Sequence, residues 1–424
     1  MLFNSFNLRF LKLPRHLLGV AISLFLCPVP AAHATNGMDL DGYGAIAAGM
    51  GGASFAIDNG NAGMMNNPAT LGLRPEGTTI GLGMTVLMPR ISETVPTSTG
   101  NAVVDSSGTR YLMPNFSVVQ KTGRYTYGMG IYPQGGMGSE WGNELSGGMN
   151  LEQRSEIGFG RVMLPLAVNV TDSLTLAAQL EYAWASLDLK MINPMTGEYY
   201  SFSDHSAYTG QATGSGFAFS LGAHYQVTPL WSVGASYHSQ THLNDMKAEG
   251  YLNTPNNPAD YRVVNAQWPE TYGVGAAFQA SPRLKLVADI KRIRWSQTLN
   301  SFQLEVNGQP AFGIHGAPQN WQDQTVYMLG GEYQLTPDLS LRVGVNQARN
   351  PVPDNTLNPL APAIIKSQYT LGLGWKITPS HQIDASVAYA PEVVQTNPNM
   401  FGPGIAGTVT HRQVTAHLDY QFRF

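Results

Sequence analysis

The sequence predicts an all-β protein: a fourteen-stranded antiparallel transmembrane β-barrel over residues 77–424, closed around an amino-terminal lumenal plug, residues 35–76. Three observations predict it. The chain ends in HLDYQFRF, residues 417–424, in which Leu418, Tyr420, Phe422 and Phe424 alternate with His417, Asp419, Gln421 and Arg423. Successive side chains of a strand point to opposite faces, so this strand is apolar on one side to its last residue. Charged residues make up 12% of the chain, about half the ~25% usual for soluble domains, while 10% are aromatic. A tight-turn signal then recurs along the chain, with long polar loops between its copies.

The first segment sets the compartment. Arg9, Lys12 and Arg15 precede an apolar run, Leu17–Leu26, and a small-residue site, Ala32-His33-Ala34. This order reads as a signal peptide over residues 1–34, cut after Ala34. This ten-residue run is too short for a spanning helix, which needs ~20. The one cysteine, Cys27, lies inside this segment, and Phe25 and Leu26 before it do not make a lipidation site. The remainder has no cysteine for a disulfide. It also has no long apolar run, so any membrane crossing is by strands.

The recurring turns are NVTDSLTL (169–176), QVTPLWSV (226–233), QASPRLKL (279–286), QLTPDLSL (334–341) and KITPSHQI (376–383), with KTGRYTYG (121–128) a looser copy. Proline presets φ and Asp, Ser or Thr bonds its own backbone, so each is a tight hairpin. Leu174, Leu176, Ala178, Leu180, Tyr182 and Trp184 then share one face, opposite Gln179 and Glu181; Leu339, Leu341, Val343 and Val345 face away from Arg342 and Asn346. Long loops are expected near 92–109, 134–154, 189–213, 239–270, 299–323, 350–366 and 391–408. Short turns at one end and long loops at the other are the layout of an outer-membrane barrel. Six turns join twelve strands; a first strand near 77–91 and a last near 409–424 make fourteen. Phe424 then sits in the periplasmic aromatic girdle. An edge strand of a secreted sandwich explains neither this asymmetry nor the count.

A barrel of this width cannot fill its own lumen with side chains. Residues 35–76 hold nine glycines and seven alanines among 42 residues, with Arg74 the single basic side chain, and lack strand alternation. This composition reads as a plug. GMGG at 49–52 is no phosphate loop, since no strand precedes it and no lysine follows.

The small-residue plug, the hatch triplet Asn67-Pro68-Ala69 at its junction with the first strand, and terminal Phe424 together resemble the FadL family. Its members are outer-membrane transporters for long-chain fatty acids, with toluene and hydrocarbon-uptake relatives. The resemblance covers the whole chain after the leader. It implies a lumenal hatch, an apolar capture groove in the long loops and an inward kink in the third strand that opens the wall sideways. The matching stretch here is Pro133-Gln134-Gly135-Gly136-Met137-Gly138, where the alternation of Tyr127, Met129 and Ile131 breaks. Proline removes a ladder donor and glycine marks bulges, so pairing is expected to lapse there.

The function expected is uptake of fatty acids or hydrocarbons by loop capture, lumenal binding and lateral release. Candidate capture residues are Met137, Trp141, Met149, Tyr199, Tyr200, Phe202 and Tyr208, whose thioethers and rings suit variable apolar ligands. A fatty-acid carboxylate would want a cation, and Arg161, Lys285, Lys291, Arg294 and Arg342 lie on strands. The alternative is a general diffusion porin, which would need a charged, wet constriction that this composition does not favour. No catalytic residue, metal or cofactor is expected: His238 and His242 sit four apart, ~13 Å along a strand and too far for a shared metal, and no serine lies in a nucleophile turn. The expected partners are the hydrophobic substrate, outer-membrane lipids and, because Phe424 resembles the signal it reads, the barrel-assembly machinery of Gram-negative bacteria. The net charge of −4 and the lack of a basic stripe give no sign of nucleic acid.

Overall fold

The computed structural model describes residues 36–424 apart from 98–99, 147, 195 and 206–209. The expected signal peptide and Tyr208 lie outside the described residues.

The strands are β1 (Gly77–Thr97), β2 (Tyr111–Thr122), β3 (Tyr125–Gly142), β4 (Gln153–Asn169), β5 (Leu174–Ile192), β6 (Tyr199–Phe202), β7 (Ala212–Thr228) and β8 (Trp231–His238). They continue with β9 (Met246–Leu252), β10 (Thr271–Ser281), β11 (Leu284–Ile293), β12 (Gln324–Thr336), β13 (Leu339–Gln347), β14 (Ser367–Thr378), β15 (His381–Asn397) and β16 (Gly407–Arg423). These sixteen close one antiparallel circuit, two more than the fourteen expected. The extra pair, β6 and β9, lies in segments read from sequence as loops. β6 joins the end of β5 at Leu189↔Phe202 and β9 at Tyr251↔Ser201, and β9 meets β7 at Lys247↔Thr213. Below this detour β5 and β7 pair directly, from Leu174↔Tyr225 to Leu187↔Ala212. Short strands such as 100–105, 258–264 and 301–306 also occupy the expected loops.

The ring closes where β1 meets β16, from Thr79↔Arg423 to Thr94↔Thr408. Phe424 is bonded too: its N–H donates to the Thr78 carbonyl and its carbonyl accepts from Thr78, both at 3.0 Å. The alternation falls as read. Leu176, Leu180, Tyr182 and Trp184 are exposed on the outer face, whereas Gln179 and Glu181 are buried on the inner one. All six short turns join consecutive strands, five through two residues and the one after Asn169 through four, residues 170–173. In the Thr-Pro and Ser-Pro copies the hydroxyl accepts from the tip, as at Thr228 from Leu230 (3.2 Å) and Trp231 (3.1 Å). The glutamine two residues earlier donates to the carbonyl of that Thr or Ser, Gln226, Gln279 and Gln334 each at 2.7 Å, a feature sequence reading missed.

Residues 36–76 form short helices, Gly44–Ala48 and Gly63–Asn66, and 3-10 turns. Helices this short are not stable alone, and the wall holds them. Asp289 accepts from the Ser54 and Phe55 N–H groups (2.6 and 2.9 Å), Asp419 from Ala45 (2.6 Å) and Thr370 from Gly51 (2.9 Å). Gln179 donates to the Met64 carbonyl (3.1 Å) and Asn346 to the Gly51 carbonyl (3.1 Å). Almost the whole segment is buried. Its glycines are needed for closeness: at Gly52, φ +89°, a Cβ would lie 2.0 Å from the Asp41 carbonyl oxygen.

Candidate ligand-binding site

β3 is bonded unequally on its two sides. With β4 it pairs from Tyr125↔Val168 to Gly142↔Gln153, interrupted by a bulge at Gln134 between Pro133↔Gly160 and Gly135↔Phe159. With β2 it pairs only from Thr122↔Tyr125 to Phe116↔Ile131. β2 itself runs on to Tyr111, still paired with Leu87 of β1. Beyond Ile131 the two strands therefore part. The missing Pro133 donor and the bulge turn β3 away from its old neighbour. The plug takes up the freed backbone: Gly136 N–H donates to the Met38 carbonyl at 3.0 Å, and Asp39 bridges Gly135. Gly135 permits this approach, since a Cβ there would lie 2.1 Å from the Met38 carbonyl oxygen.

A cavity of about 310 Å³ follows this parting. Its lining passes from plug residues 37–41 and His411, on the inner face of β16, to consecutive residues Tyr111–Pro114 of β2 and Gly135–Gly138 of β3. Consecutive residues of a strand face opposite sides, so the cavity wraps the strand edges. It also reaches Ile131 and Trp184, 38% and 37% exposed on the outer face.

Asn67, in the expected hatch triplet, bonds both its own segment and the wall. Asn67 donates to the Phe55 (2.7 Å) and Ala223 (3.0 Å) carbonyls and its oxygen accepts from Ala69 (3.1 Å), with Pro68 opening the 3-10 turn Pro68–Leu73. A polar cluster that sequence reading missed lies beside the kink. Lys291 is 2.9 Å from Asp39. The Tyr43 hydroxyl lies between Asp39 and the Gln134 carbonyl, and Arg161 bonds Gln134, Glu181 and Thr241. Burial pushes the Tyr43 hydroxyl well above its ordinary range and the Asp41 carboxyl up to about 7.

The candidate capture residues divide. Met137 lines the cavity. Trp141 is buried with its Nε1 donating to the Pro359 carbonyl at 3.2 Å, and Met149 is exposed on a loop. Tyr199, Tyr200 and Phe202 are brought together on β6 but buried in the packing of the long-loop end, Phe202 4.7 Å from Tyr261 and Tyr200 6.0 Å from Phe312 by ring centroids. Among the described residues one grouping, Glu140, Glu152 and His205, has metal-ligand atoms close together. Lys190 already sits there, 2.6 Å from Glu152 and 2.7 Å from His205.

The chain is similar in structure to the toluene transporter TodX of Pseudomonas putida, with 25% identity, 91% of this chain and 99% of that one covered, and a TM-score of 0.79. To the toluene transporter TbuX of Ralstonia pickettii the figures are 28%, 91%, 99% and 0.73. A FadL homologue of Pseudomonas aeruginosa shares the fold at 17% identity, with 92% and 100% covered and a TM-score of 0.72. A Chlorobium limicola relative, described as an uncharacterized protein in the phosphoenolpyruvate carboxykinase gene 5' region, is 53% identical over 74 residues, 17% of this chain. The chain spans about a third, 36%, of that relative's length. Residues 28–424 match the family described as outer membrane protein transport protein (OMPP1/FadL/TodX), and the chain belongs to this family of outer-membrane β-barrel transporters.

Proposed function

We propose that the protein carries hydrophobic molecules, fatty acids or hydrocarbons, across a Gram-negative outer membrane by capture at the long loops, binding beside the plug and lateral release between β2 and β3. The observation that carries this reading is the cavity that runs from plug residues Met38–Asp41 to the parted edges of β2 and β3. A hydrophobe leaving there passes from apolar side chains into lipid without crossing water, which the hydrophobic effect favours. The relatives named as toluene transporters support the class of cargo. A general diffusion porin is the weaker reading: residues 36–76 are buried and bonded to the strand carboxylates Asp289 and Asp419, which supports their reading as a plug.

Had the ladder continued past Phe116↔Ile131, Pro114 would stand opposite Pro133. Cysteines at these two positions, joined by a disulfide or a short bis-maleimide, would tie the edges together. Cys27 in the leader is the chain's only other cysteine, so the bridge is clean. Bridged barrels at normal outer-membrane levels should lose uptake of a labelled hydrophobe while still binding it, and reducing the disulfide should restore uptake. Unchanged uptake through bridged barrels would refute lateral exit here.

A further inference from the structure

The cavity is lined by acids and, among the described residues, by no lysine or arginine: Asp39, Asp41 and Glu156 border it. The five cations that the sequence offers to a carboxylate ligand, four on strands and Arg294 just past the end of β11, are all committed. Arg161 holds Glu181, Lys291 holds Asp39 at 2.9 Å, and Arg294 holds Asp323 at 2.7 Å. Arg342 lies 2.7 Å from both Glu332 and Asp384, and Lys285 is 3.8 Å from Glu332. Drawing Arg161, Lys291 or Arg342 to a ligand would take the cation from a buried carboxylate, and a buried unpaired charge is costly. An anionic ligand is therefore poorly matched to this cavity.

Two other lining groups ask for something specific. His411 Nδ1 lies 2.9 Å from the Pro362 carbonyl oxygen. A carbonyl only accepts, so Nδ1 carries the hydrogen and Nε2 keeps its lone pair. Nε2 is buried without a hydrogen-bond partner, and so is Oε1 of Gln368 on β14. The residues are 6% and 3% exposed. Buried polar atoms normally find partners, and the exceptions in a cavity point to a group that arrives from outside. The carbon lining of the same cavity includes Met113, Met137, Ile157, Phe159 and Ile365.

We infer that the cavity selects an uncharged hydrophobic alcohol or phenol, whose hydroxyl donates to His411 Nε2, over the corresponding carboxylate. This rests on the reading that the barrel carries hydrophobic molecules, and it narrows that cargo by its polar end.

The test uses three probes on one carbon skeleton, 4-butylphenol, butylbenzene and 4-butylbenzoate, with the purified barrel in lipid nanodiscs at neutral pH. Binding is measured by equilibrium dialysis and corrected for partition into empty nanodiscs. The phenol should bind about fivefold tighter than butylbenzene, the worth of one net hydrogen bond. The benzoate should bind at least about tenfold more weakly than the phenol, because its charge is buried unpaired. His411→Leu should abolish the phenol's advantage over butylbenzene, while His411→Gln, which restores an acceptor, should recover part of it. If the leucine variant fails to assemble, the ranking on the wild-type barrel decides alone. Benzoate binding as tight as phenol, or phenol no tighter than butylbenzene, overturns the inference and leaves hydrophobe transport standing. If none of the three binds, transport of small hydrophobes through this cavity falls with it.

Discussion

Asp41 shows how one residue links plug to wall. Its Oδ2 has no hydrogen-bond partner, and burial pushes its carboxyl from an ordinary 3.8 up to about 7. Its own and the Gly42 N–H groups and Lys291 oppose that rise, while Asp39 adds to it and His417 Nε2 stands 3.9 Å from Oδ1. A carboxyl raised on folding holds its proton more tightly in the folded chain, so its contribution is complete below the unfolded value near 3.8. That contribution is lost as pH rises through about 7, and above it the buried charge weighs fully against the plug. Asp41→Asn keeps the shape without the charge. At pH 8 the variant should protect the amides of residues 45–53 from hydrogen exchange more than the wild type does, by up to a few kcal/mol, on the order of the shift itself. At pH 4 the two should match. Equal protection at pH 8 would show that this carboxyl carries none of the pH dependence.

At the scale of an element, β3 earns its shape from three residue types: a proline without a donor, a bulged glutamine and glycines that admit the plug. Gly135→Ala tests the last. Its Cβ would meet the Met38 carbonyl oxygen at 2.1 Å, a backbone atom that cannot turn aside, so the contact at Gly135 and Gly136 must break. The β3–β4 ladder lies on the other side of the strand and should survive, leaving the barrel heat-modifiable. Exchange at Gly136 should rise by about tenfold, near the worth of one hydrogen bond in a partly buried site. Unchanged exchange would mean that the plug does not brace the kink. The bulge at Gln134 has a local cause, since proline and glycine act on their own stretch of backbone, and the hairpins were legible for the same reason: Thr228 bonds a turn two residues away. β6 was not, since four residues among Asn and Gly give too few alternations to count, and its partner Tyr251 is 50 positions from Ser201. The cluster beside the kink was hidden by distance in sequence: Lys291 finds Asp39 across 252 positions, and only closure of the ring brings them together.

For the whole molecule the question is what the barrel would be without its plug. The wall closes through β1 and β16 and through direct ladders between neighbouring strands, none of which uses residues 38–62. Lipid leaves no alternative to that closed hydrogen bonding, so a shortened chain should still assemble. What it loses lies inside. Asp289 and Asp419 give up the backbone donors of Ser54, Phe55 and Ala45, and Lys291 gives up Asp39. The freed charges stay ionised only if water enters, so removing 38–62 should convert a blocked lumen into a wet one. Single-channel conductance in planar bilayers should rise from near closed to a steady cation-preferring current, because Asp289 and Asp419 would then face the water without the plug's donors. Hydrophobe binding should fall in the same barrels, since Met38 and Leu40 form one side of the cavity. A deletion that assembles, conducts no better than the intact protein and binds ligand as before would show that the segment neither seals the lumen nor shapes the site, and transport would have to run elsewhere in the wall.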